Sequence, residues 1–366
     1  MSKKPPTAVI KKSMMEIAAE INKKLGVDLL LKGGDIDALH KALPRTTSGI
    51  LGFDLALGGG WPLNQWNEII GEESCGKTAI CFRTLAANME ADPEYIAMWV
   101  ASEPFVPEYA ESFGVDLDRL WLVESNEMEQ ALALVIKAVE SRAVDAVIID
   151  SLPAFLTEIE NAKELDEVSV ATGAKILSQF FKKSTKAQRK SWLVKERDVL
   201  LIAINQWRDA IGVMYGDPRT TPGGKAKNYY YFTRVELRRD EWLTDGSKIE
   251  DRVGQSIKMR TIKNKTHRPQ QSAIVDYYFT DAKNGFGLGD IDIIKDVVNT
   301  CISLEIIERR GAWYNYGDYK WNGKGPISED VRADMGLQRE LKEAAMNAVL
   351  GGKTGQDSTE VTDEPA

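Results

Sequence analysis

The segment at residues 71–78, GEESCGKT, constrains the fold of this chain more than any other feature. It matches the pattern GxxxxGK[ST] in full, directly after an apolar stretch at residues 67–70 and directly before a helical pattern. In a strand-loop-helix unit of this kind, backbone amides and the helix N-terminus face phosphate groups, Lys77 neutralises their charge, and the Thr78 hydroxyl binds Mg²⁺. A chance glycine turn is the alternative, and both flanking elements argue against it. The residues expected around the phosphates are Gly71, Glu72, Glu73, Ser74, Cys75, Gly76, Lys77, Thr78 and Ala79.

Two acidic residues stand where the chemistry of such a site needs carboxylates. Asp150 ends an apolar run, a position suited to a second metal-supporting residue beside Thr78. Glu103 follows the strand predicted at residues 96–101 and is the acid placed to activate a water molecule. Each has a simpler alternative: Asp150 could cap the following turn, and Glu103 could be a solvent-exposed loop residue. We therefore predict Lys77 and Glu103 as catalytic residues, and Thr78 and Asp150 as ligands of Mg²⁺.

The rest of the chain alternates short apolar runs with helical patterns. The apolar runs, rich in β-branched residues, lie at residues 67–70, 96–101, 120–123, 144–149 and 199–204, and helical patterns include residues 77–91 and 128–141. Nearly uninterrupted apolar strands are typical of a parallel sheet covered on both faces. Alternating segments at residues 231–238, 256–262 and 272–279 indicate antiparallel strands that complete a mixed sheet. The predicted fold class is α/β, with a mostly parallel twisted sheet covered by helices.

Further segments flank this predicted core. Apolar positions at three- and four-residue steps predict an amphipathic helix at residues 7–25, ahead of a glycine pair. A small α+β lobe is expected from residue 289, and the last residues predict a disordered acidic tail. We divide the chain into an N-terminal helix and linker for subunit docking at 1–45, the core at 46–288, the small C-terminal lobe at 289–350 and the tail at 351–366.

The composition excludes several other kinds of site. The chain has 47 Lys and Arg against 55 Asp and Glu, a net charge of −8, which by itself argues against a nucleic-acid binder. Its 3 cysteines form no CxxC pair and support neither a disulfide framework nor a thiolate metal site, and its 2 histidines exclude a multi-histidine metal centre. No apolar run of about 18 residues occurs, so we expect a cytoplasmic protein without a membrane partner.

Several motifs, in chain order, resemble those of the RecA recombinase family. They lie at residues 47–58, 201–208, 211–216, 220–224, 262–265 and 311–314, and the similarity covers residues 45–320. The resemblance implies a RecA-like P-loop core and a DNA-dependent ATPase, with ATP and Mg²⁺, that forms helical filaments on single-stranded DNA and exchanges strands with a homologous duplex. A loop that contacts DNA through backbone amides and an inserted aliphatic side chain needs few cations, so the net charge does not contradict this function.

The resemblance also implies roles for individual residues. Gln206, at the end of a strand, is the third predicted catalytic residue and would sense the γ-phosphate and pass its state to the following loop. Tyr109 would stack on the adenine. Lys263 and Lys265 would reach the ATP of a neighbouring subunit and stabilise the transferring phosphoryl group, as an arginine finger does. The implied DNA-binding residues are Val170, Lys175, Lys182, Arg208, Ile211, Gly212, Val213, Met214, Gly223, Gly224 and Lys225.

The sequence departs from the family pattern at the end of the catalytic strand. Ungapped alignment places Ser102 at the position of the catalytic glutamate, and a shift of one residue brings Glu103 there. Cys75 stands where a serine is common in the phosphate loop. We interpret these departures as those of a divergent member of the bacterial type, such as a phage- or plasmid-borne one. Two other functions stay open: a ring-forming helicase-type ATPase, and an ATP-binding regulatory paralogue with little turnover.

Overall fold

The computed structural model describes residues 13–25, 43–125, 127–154, 170–193, 197–209, 219–222, 224 and 227–351. Within these ranges, the side chains of residues 170–172, 186, 187, 189–193 and 209 lie outside the description. The first part of the predicted N-terminal helix, at residues 7–12, and most of the predicted acidic tail also lie outside the described residues. The domain boundaries drawn from the sequence stay predictions.

The described helices mostly follow the predicted pattern. They are α1 (Met14–Leu25), α2 (Leu51–Leu57), α3 (Lys77–Ala91), α4 (Pro107–Ser112), α5 (Met128–Ser141), α6 (Val170–Leu193), α7 (Lys227–Tyr230), α8 (Ile293–Ser303), α9 (Lys324–Ala333) and α10 (Met335–Leu350). Short 3₁₀ turns lie at Leu117–Arg119, Leu152–Ala154 and Ile249–Asp251. Helices α3 and α5 have the bounds that the sequence predicts.

The described strands form one large sheet and three smaller ones. They are β1 (Arg45–Thr46), β2 (Trp61–Pro62), β3 (Trp66–Gly71), β4 (Ala97–Ala101), β5 (Leu120–Glu124), β6 (Ala146–Asp150), β7 (Leu200–Gln206), β8 (Arg208–Asp209), β9 (Arg219–Thr220), β10 (Thr233–Thr244), β11 (Arg252–Asn264), β12 (Ser272–Tyr278), β13 (Glu308–Arg310), β14 (Trp313–Tyr316) and β15 (Tyr319–Asn322). The five predicted parallel strands each lie within one or two residues of their predicted bounds.

The large sheet has 8 strands in the order β12-β11-β10-β3-β7-β6-β4-β5. Strands β10, β3, β7, β6, β4 and β5 are parallel neighbours, while β11 and β12 are antiparallel additions at one edge. The predicted mostly parallel α/β sheet is confirmed. One detail differs: β10 is antiparallel to β11 but parallel to β3, so it belongs to both parts of the mixed sheet.

Each face of the large sheet carries its own apolar core. We call the two faces the α3 face and the α6 face after the longest helix on each. The α3 face is packed by α3, with Ile80, Phe82 and Leu85 among its members. Buried residues occur around most of this helix, at positions 79–82, 84–86, 88 and 89, so it is enclosed by the core instead of having one apolar side. The α6 face is packed by α5 and α6, with Val135 and Phe181 fully buried.

A third core belongs to the C-terminal lobe. Helices α8, α9 and α10 pack on one another and on the sheet formed by β13, β14 and β15. This core also includes Leu51 and Leu55 of α2, so the lobe is joined to the preceding part of the chain through that helix. Strands β10 and β11 are longer than the sequence predicts because their outer ends pair with each other, residues 239–244 of β10, exposed or half-exposed, lying opposite residues 252–257 of β11.

Two other kinds of feature are absent from the residues that the structure describes. No helix among them combines the length and apolarity needed to cross a bilayer. No group of three or more His, Cys, Asp or Glu side chains in the described ranges is placed to hold a metal ion.

Candidate active site

The predicted phosphate loop joins the end of β3 to the start of α3. Gly76 has φ 91° and immediately precedes α3, and a Cβ there would lie 2.4 Å from the Ile257 side chain. A side chain at this position would therefore be strained and would also collide. Gln255 donates a hydrogen bond through Nε2 to the Ser74 carbonyl at 3.0 Å and so fixes the outer part of the loop to β11. The backbone is held in one shape before any ligand binds.

Lys77 is folded back along the loop. Its Nζ donates to the carbonyl oxygens of Gly71 at 3.2 Å and Glu72 at 2.5 Å, and the side chain is buried. These carbonyls place the ammonium group inside the curve of the loop, where phosphate oxygens would lie. The role of Lys77 in phosphate binding stays a prediction.

Thr78, in the first turn of α3, meets Asp150, the last residue of β6. The Thr78 hydroxyl donates to Oδ2 of Asp150 at 2.8 Å. The pKa of Asp150 is raised to about 6, mainly by burial. The hydrogen bond from Thr78 lowers this pKa, and the nearby charge of Glu103 raises it. A hydroxyl and a carboxylate side by side are hard oxygen ligands of the kind that Mg²⁺ prefers, so these two residues fit the predicted metal site.

The end of β4 places Ser102 and Glu103 differently. The Ser102 hydroxyl donates to the Ser151 carbonyl at 2.8 Å and accepts from the Ser151 amide at 2.9 Å, which ties it to the backbone after β6. Glu103 instead lines the cavity that also contains Lys77 and Asp150, and its Oε1 accepts from the Ser151 hydroxyl at 3.3 Å. Of the two residues, Glu103 is the one with a carboxylate directed into the cavity.

This cavity has a volume of about 490 Å³ and combines a polar end with an aromatic end. The polar end is the phosphate loop with Glu103 and Asp150. The aromatic wall is formed by Phe82, Trp99, Phe105, Tyr109, Trp242, Tyr277 and Phe279. A cavity with a phosphate-binding loop at one end and flat apolar rings at the other suits a purine nucleotide.

Tyr109 is the one member of this wall that the sequence prediction named. Its ring makes edge contacts with Phe82 and Phe113, with centroid distances of 5.7 Å and 5.2 Å. Its hydroxyl shares a hydrogen bond of 2.8 Å with that of Tyr277. The other rings come from separate strands and helices, and no local sequence signal links them to the phosphate loop.

Gln206 lies beside the phosphate loop as predicted. It ends β7, next to Gly71 in the register of the parallel pair β3 and β7. Its backbone N–H donates to Oδ1 of Asn205 at 3.0 Å. Since the carboxyl ends of parallel strands share one edge of a sheet, Gln206 and the phosphate loop lie together there.

Lys263 and Lys265 do not line this cavity. Lys263 pairs in register with Arg234, at the level of Glu68, which is about 10 Å back along β3 from the phosphate loop. Lys263 Nζ donates to the Asn228 carbonyl at 2.7 Å, and burial together with the charge of Lys265 lowers the pKa of Lys263 to about 8. Both lysines therefore lie towards the opposite end of the parallel strands from their own chain's phosphate loop.

The predicted DNA-binding residues are described only in part. Lys175 and Lys182 are exposed on α6, and Arg208 is exposed on β8. Gly224 has φ +76°, and a Cβ there would lie 3.3 Å from the Ala174 side chain, so the segment after β9 approaches the start of α6. The backbone of Val170 begins α6, while its side chain and the residues Ile211, Gly212, Val213, Met214, Gly223 and Lys225 lie outside the described residues.

Sequence reasoning missed a set of buried charged residues on the α6 face. Glu68 and Lys227 are fully buried, and Glu236 is 1% exposed. The signal was present in part, because Glu68 interrupts an apolar strand next to the phosphate loop. Its partners come from distant segments, so the sequence alone does not show the network.

Comparison with known proteins places these observations in a family. A profile described as the RecA N-terminal domain matches residues 12–284. "Protein RecA" of Ruminococcus albus is 32% identical over 357 residues, covering 95% of this chain and 84% of that protein. "Protein RecA" of Porphyromonas gingivalis is 34% identical over 304 residues, covering 82% of this chain and 84% of that protein. "Protein RecA" of Staphylococcus aureus is 32% identical over 338 residues, covering 91% and 92% respectively.

Proposed function

Because the chain belongs to the RecA family, we propose that it is a DNA-dependent ATPase that forms helical filaments on single-stranded DNA and catalyses pairing and strand exchange with a homologous duplex. Its processes are DNA recombination and repair, and its proposed location is the cytoplasm, where ATP and chromosomal DNA are found. The observation that carries this proposal is one cavity that joins the phosphate loop, two carboxylates and an aromatic wall.

Each residue of the cavity has a proposed task. The loop amides and Lys77 bind the phosphates of ATP, and the aromatic wall with Tyr109 holds the adenine. Thr78 and Asp150 would hold Mg²⁺, which supplies charge neutralisation at the phosphates when bound. Glu103 accepts a proton from the attacking water, because its carboxylate faces the cavity while Ser102 has none.

The remaining proposed residues act on other molecules. Gln206 reports nucleotide occupancy from the edge of the sheet. Lys263 and Lys265 serve the ATP of a neighbouring subunit, which agrees with their distance from their own cavity. Arg208, Lys175 and Lys182 contact DNA phosphates, together with the predicted DNA-binding residues outside the described ranges.

The direct test is ATP hydrolysis with and without single-stranded DNA at saturating ATP. We expect a large stimulation by DNA, together with filaments in electron micrographs whose length follows that of the DNA. An unchanged rate would overturn the proposal. Discrete hexamers that unwind duplexes would favour a ring-forming helicase, and ATP binding without measurable turnover would favour a regulatory paralogue.

A further inference from the structure

A network of buried charges lies on the α6 face, between the sensor strand β7 and the segment that follows it. Glu68 and Lys227 are fully buried, and Glu236 is 1% exposed. Removing a charge from water is costly unless it is paired and hydrogen-bonded, so each of these groups depends on defined partners. These partners link Gln206 to Arg219 and Thr221, at the two ends of β9, the second strand of the short pair β8 and β9.

One connection runs from Gln206 through Glu68 to the end of β9. The backbone N–H of Gln206 donates to Oδ1 of Asn205 at 3.0 Å, and Nδ2 of Asn205 donates to Oε1 of Glu68 at 2.8 Å. The same Glu68 oxygen lies 3.7 Å from Nζ of Lys227. Lys227 Nζ in turn donates to the hydroxyl of Thr221 at 2.5 Å. A continuous polar path therefore joins the backbone of Gln206, whose side chain is the predicted γ-phosphate sensor, to the residue directly after β9.

A second connection holds the strand pair to the sheet through Glu236. Arg219 of β9 donates to Oε1 of Glu236 at 2.8 Å, and its guanidinium lies 4.7 Å from the ring centre of Trp207, directly after Gln206. Arg238 and Arg260 also bind Glu236, at 2.8 Å and 2.7 Å. Burial tends to raise the pKa of Glu236, but the hydrogen bonds from Arg238 and Arg219 outweigh it, so the pKa is lowered and the group stays ionised.

The strand pair held in this way carries a predicted DNA contact. Arg208 of β8 pairs with Thr220 of β9, and the Arg208 side chain is exposed. A displacement of Gln206 therefore acts on β8 directly and on β9 through Glu68 and Lys227. Hydrogen-bonded groups that are buried away from water have few alternative partners. When one of them moves, its partners therefore move with it.

We propose that Glu68 and Glu236 are positioning residues that couple nucleotide binding at Gln206 to the placement of Arg208 for DNA. This inference rests on the proposed function, because it assumes that both ATP and DNA bind. A purely structural network would change stability when broken but would leave the linkage between the two ligands intact.

The sharpest test uses Thr221→Val with Thr220→Val as a matched control. Thr221→Val removes the hydroxyl that accepts from Lys227 while leaving Lys227 paired with Glu68. Thr220→Val makes the same change one residue earlier, at the last residue of β9. Affinity for a fluorescent single-stranded oligonucleotide is measured with a non-hydrolysable ATP analogue and with ADP. We expect the ratio of these affinities to fall at least fivefold in Thr221→Val and to stay within twofold of the unmodified protein in Thr220→Val.

Arg219→Lys tests the contact with Trp207 that links the second connection to the residue after Gln206. Lysine keeps the charge but loses the planar group that stacks on Trp207, so we expect the same loss of coupling with unchanged affinity for the nucleotide. If both variants keep the unmodified ratio, the inference is wrong. If the unmodified protein itself binds the oligonucleotide equally with either nucleotide or not at all, the proposed function fails instead.

Discussion

The two faces of the large sheet bury different kinds of side chain beside the same phosphate loop. On the α3 face, Phe82, Trp99 and Tyr109 extend the apolar core into the wall of the cavity. On the α6 face, Glu68 and Glu236 are buried among cations and amides. Apolar contacts depend on shape and tolerate small movements in any direction, whereas buried ion pairs hold only in one arrangement. The first face is therefore suited to holding a ligand and the second to responding to it.

The largest expected effect concerns the acid at the edge between these faces. Replacing the proposed general base in Glu103→Gln should lower the rate of DNA-stimulated ATP hydrolysis by about 10²- to 10⁴-fold, because glutamine cannot accept the proton. Nucleotide affinity, measured with a fluorescent ATP analogue, should change little. Ser102→Ala is the control, since it removes a hydroxyl that binds the Ser151 backbone. A larger loss of rate in Ser102→Ala than in Glu103→Gln would show that the assignment of the base is wrong.

A pair of substitutions compares the packing of the two faces. Phe82→Ala and Phe181→Ala each remove a buried ring, one from the α3 face and one from the α6 face. Each should lower the free energy of unfolding by about 3–5 kcal/mol, measured by urea denaturation. Only Phe82→Ala should also weaken nucleotide binding, because Phe82 lines the cavity. Equal weakening in both variants would mean that the cavity does not depend on the α3 face in particular.

A smaller effect is expected from the ring predicted to contact the adenine. Tyr109→Ala removes an aromatic surface of the cavity and should lower nucleotide affinity by about tenfold, as expected for the loss of stacking worth about 1 kcal/mol and of some apolar contact. Tyr109→Phe keeps the ring and loses only the hydrogen bond to Tyr277, so its affinity should stay close to that of the unmodified protein. Calorimetric titration with ATP measures both. A tenfold loss in Tyr109→Phe would assign the effect to the hydroxyl pair instead of the ring.

The smallest expected effect comes from two buried acids held by hydrogen bonds at the junction of α2 and α8. Asp54 accepts from Ser48 and Thr47, and Asp296 accepts from the Gly52 amide. Burial raises the pKa of Asp54 to about 6 and of Asp296 to about 7. Their ordinary pKa is 3.8, so the unfolded chain binds fewer protons than the folded chain between about pH 4 and 7, and stability falls as the pH rises through this range.

Asp296→Asn tests this pH dependence, because asparagine keeps an oxygen that accepts from Gly52 but does not ionise. In urea denaturation at several pH values, each of the two acids should lower stability by at most about 1.4 kcal/mol per pH unit, and Asp296→Asn should remove the share that belongs to Asp296. Identical slopes would mean that Asp296 does not contribute. Buried acids held by hydrogen bonds would then not be distinguished from Glu68 and Glu236, which are paired with cations.

Local patterns were sufficient for much of the fold. The phosphate loop, α3, α5 and the parallel strands have the predicted places because each depends on periodicity or on turn chemistry within a few residues. The predicted bounds of β10 and β11 were too short, because the outer part of β10 is exposed or half-exposed and both outer parts are stabilised by pairing with each other, not by apolar periodicity. Tertiary pairing of this kind has no local signature.

The site was predictable where one motif supplies it and not where several segments meet. Lys77, Thr78 and Asp150 lie together as expected, and Glu103 lines the same cavity, while the Ser102 hydroxyl binds the Ser151 backbone. The aromatic wall and the partners of Glu68 come from widely separated segments. Their proximity follows from the strand order β11-β10-β3-β7, which a single sequence does not specify.

The distance of Lys263 and Lys265 from their own phosphate loop bears on how many complete ATP sites an assembly contains. If these lysines complete the site of the next subunit, a head-to-tail assembly of n chains contains n − 1 complete sites, and its two ends differ chemically. A single chain would then have no complete site, and two chains would share one. Turnover per chain would rise with assembly length towards a plateau, and loss of a chain from one end would remove a cation pair, while loss from the other would remove a nucleotide.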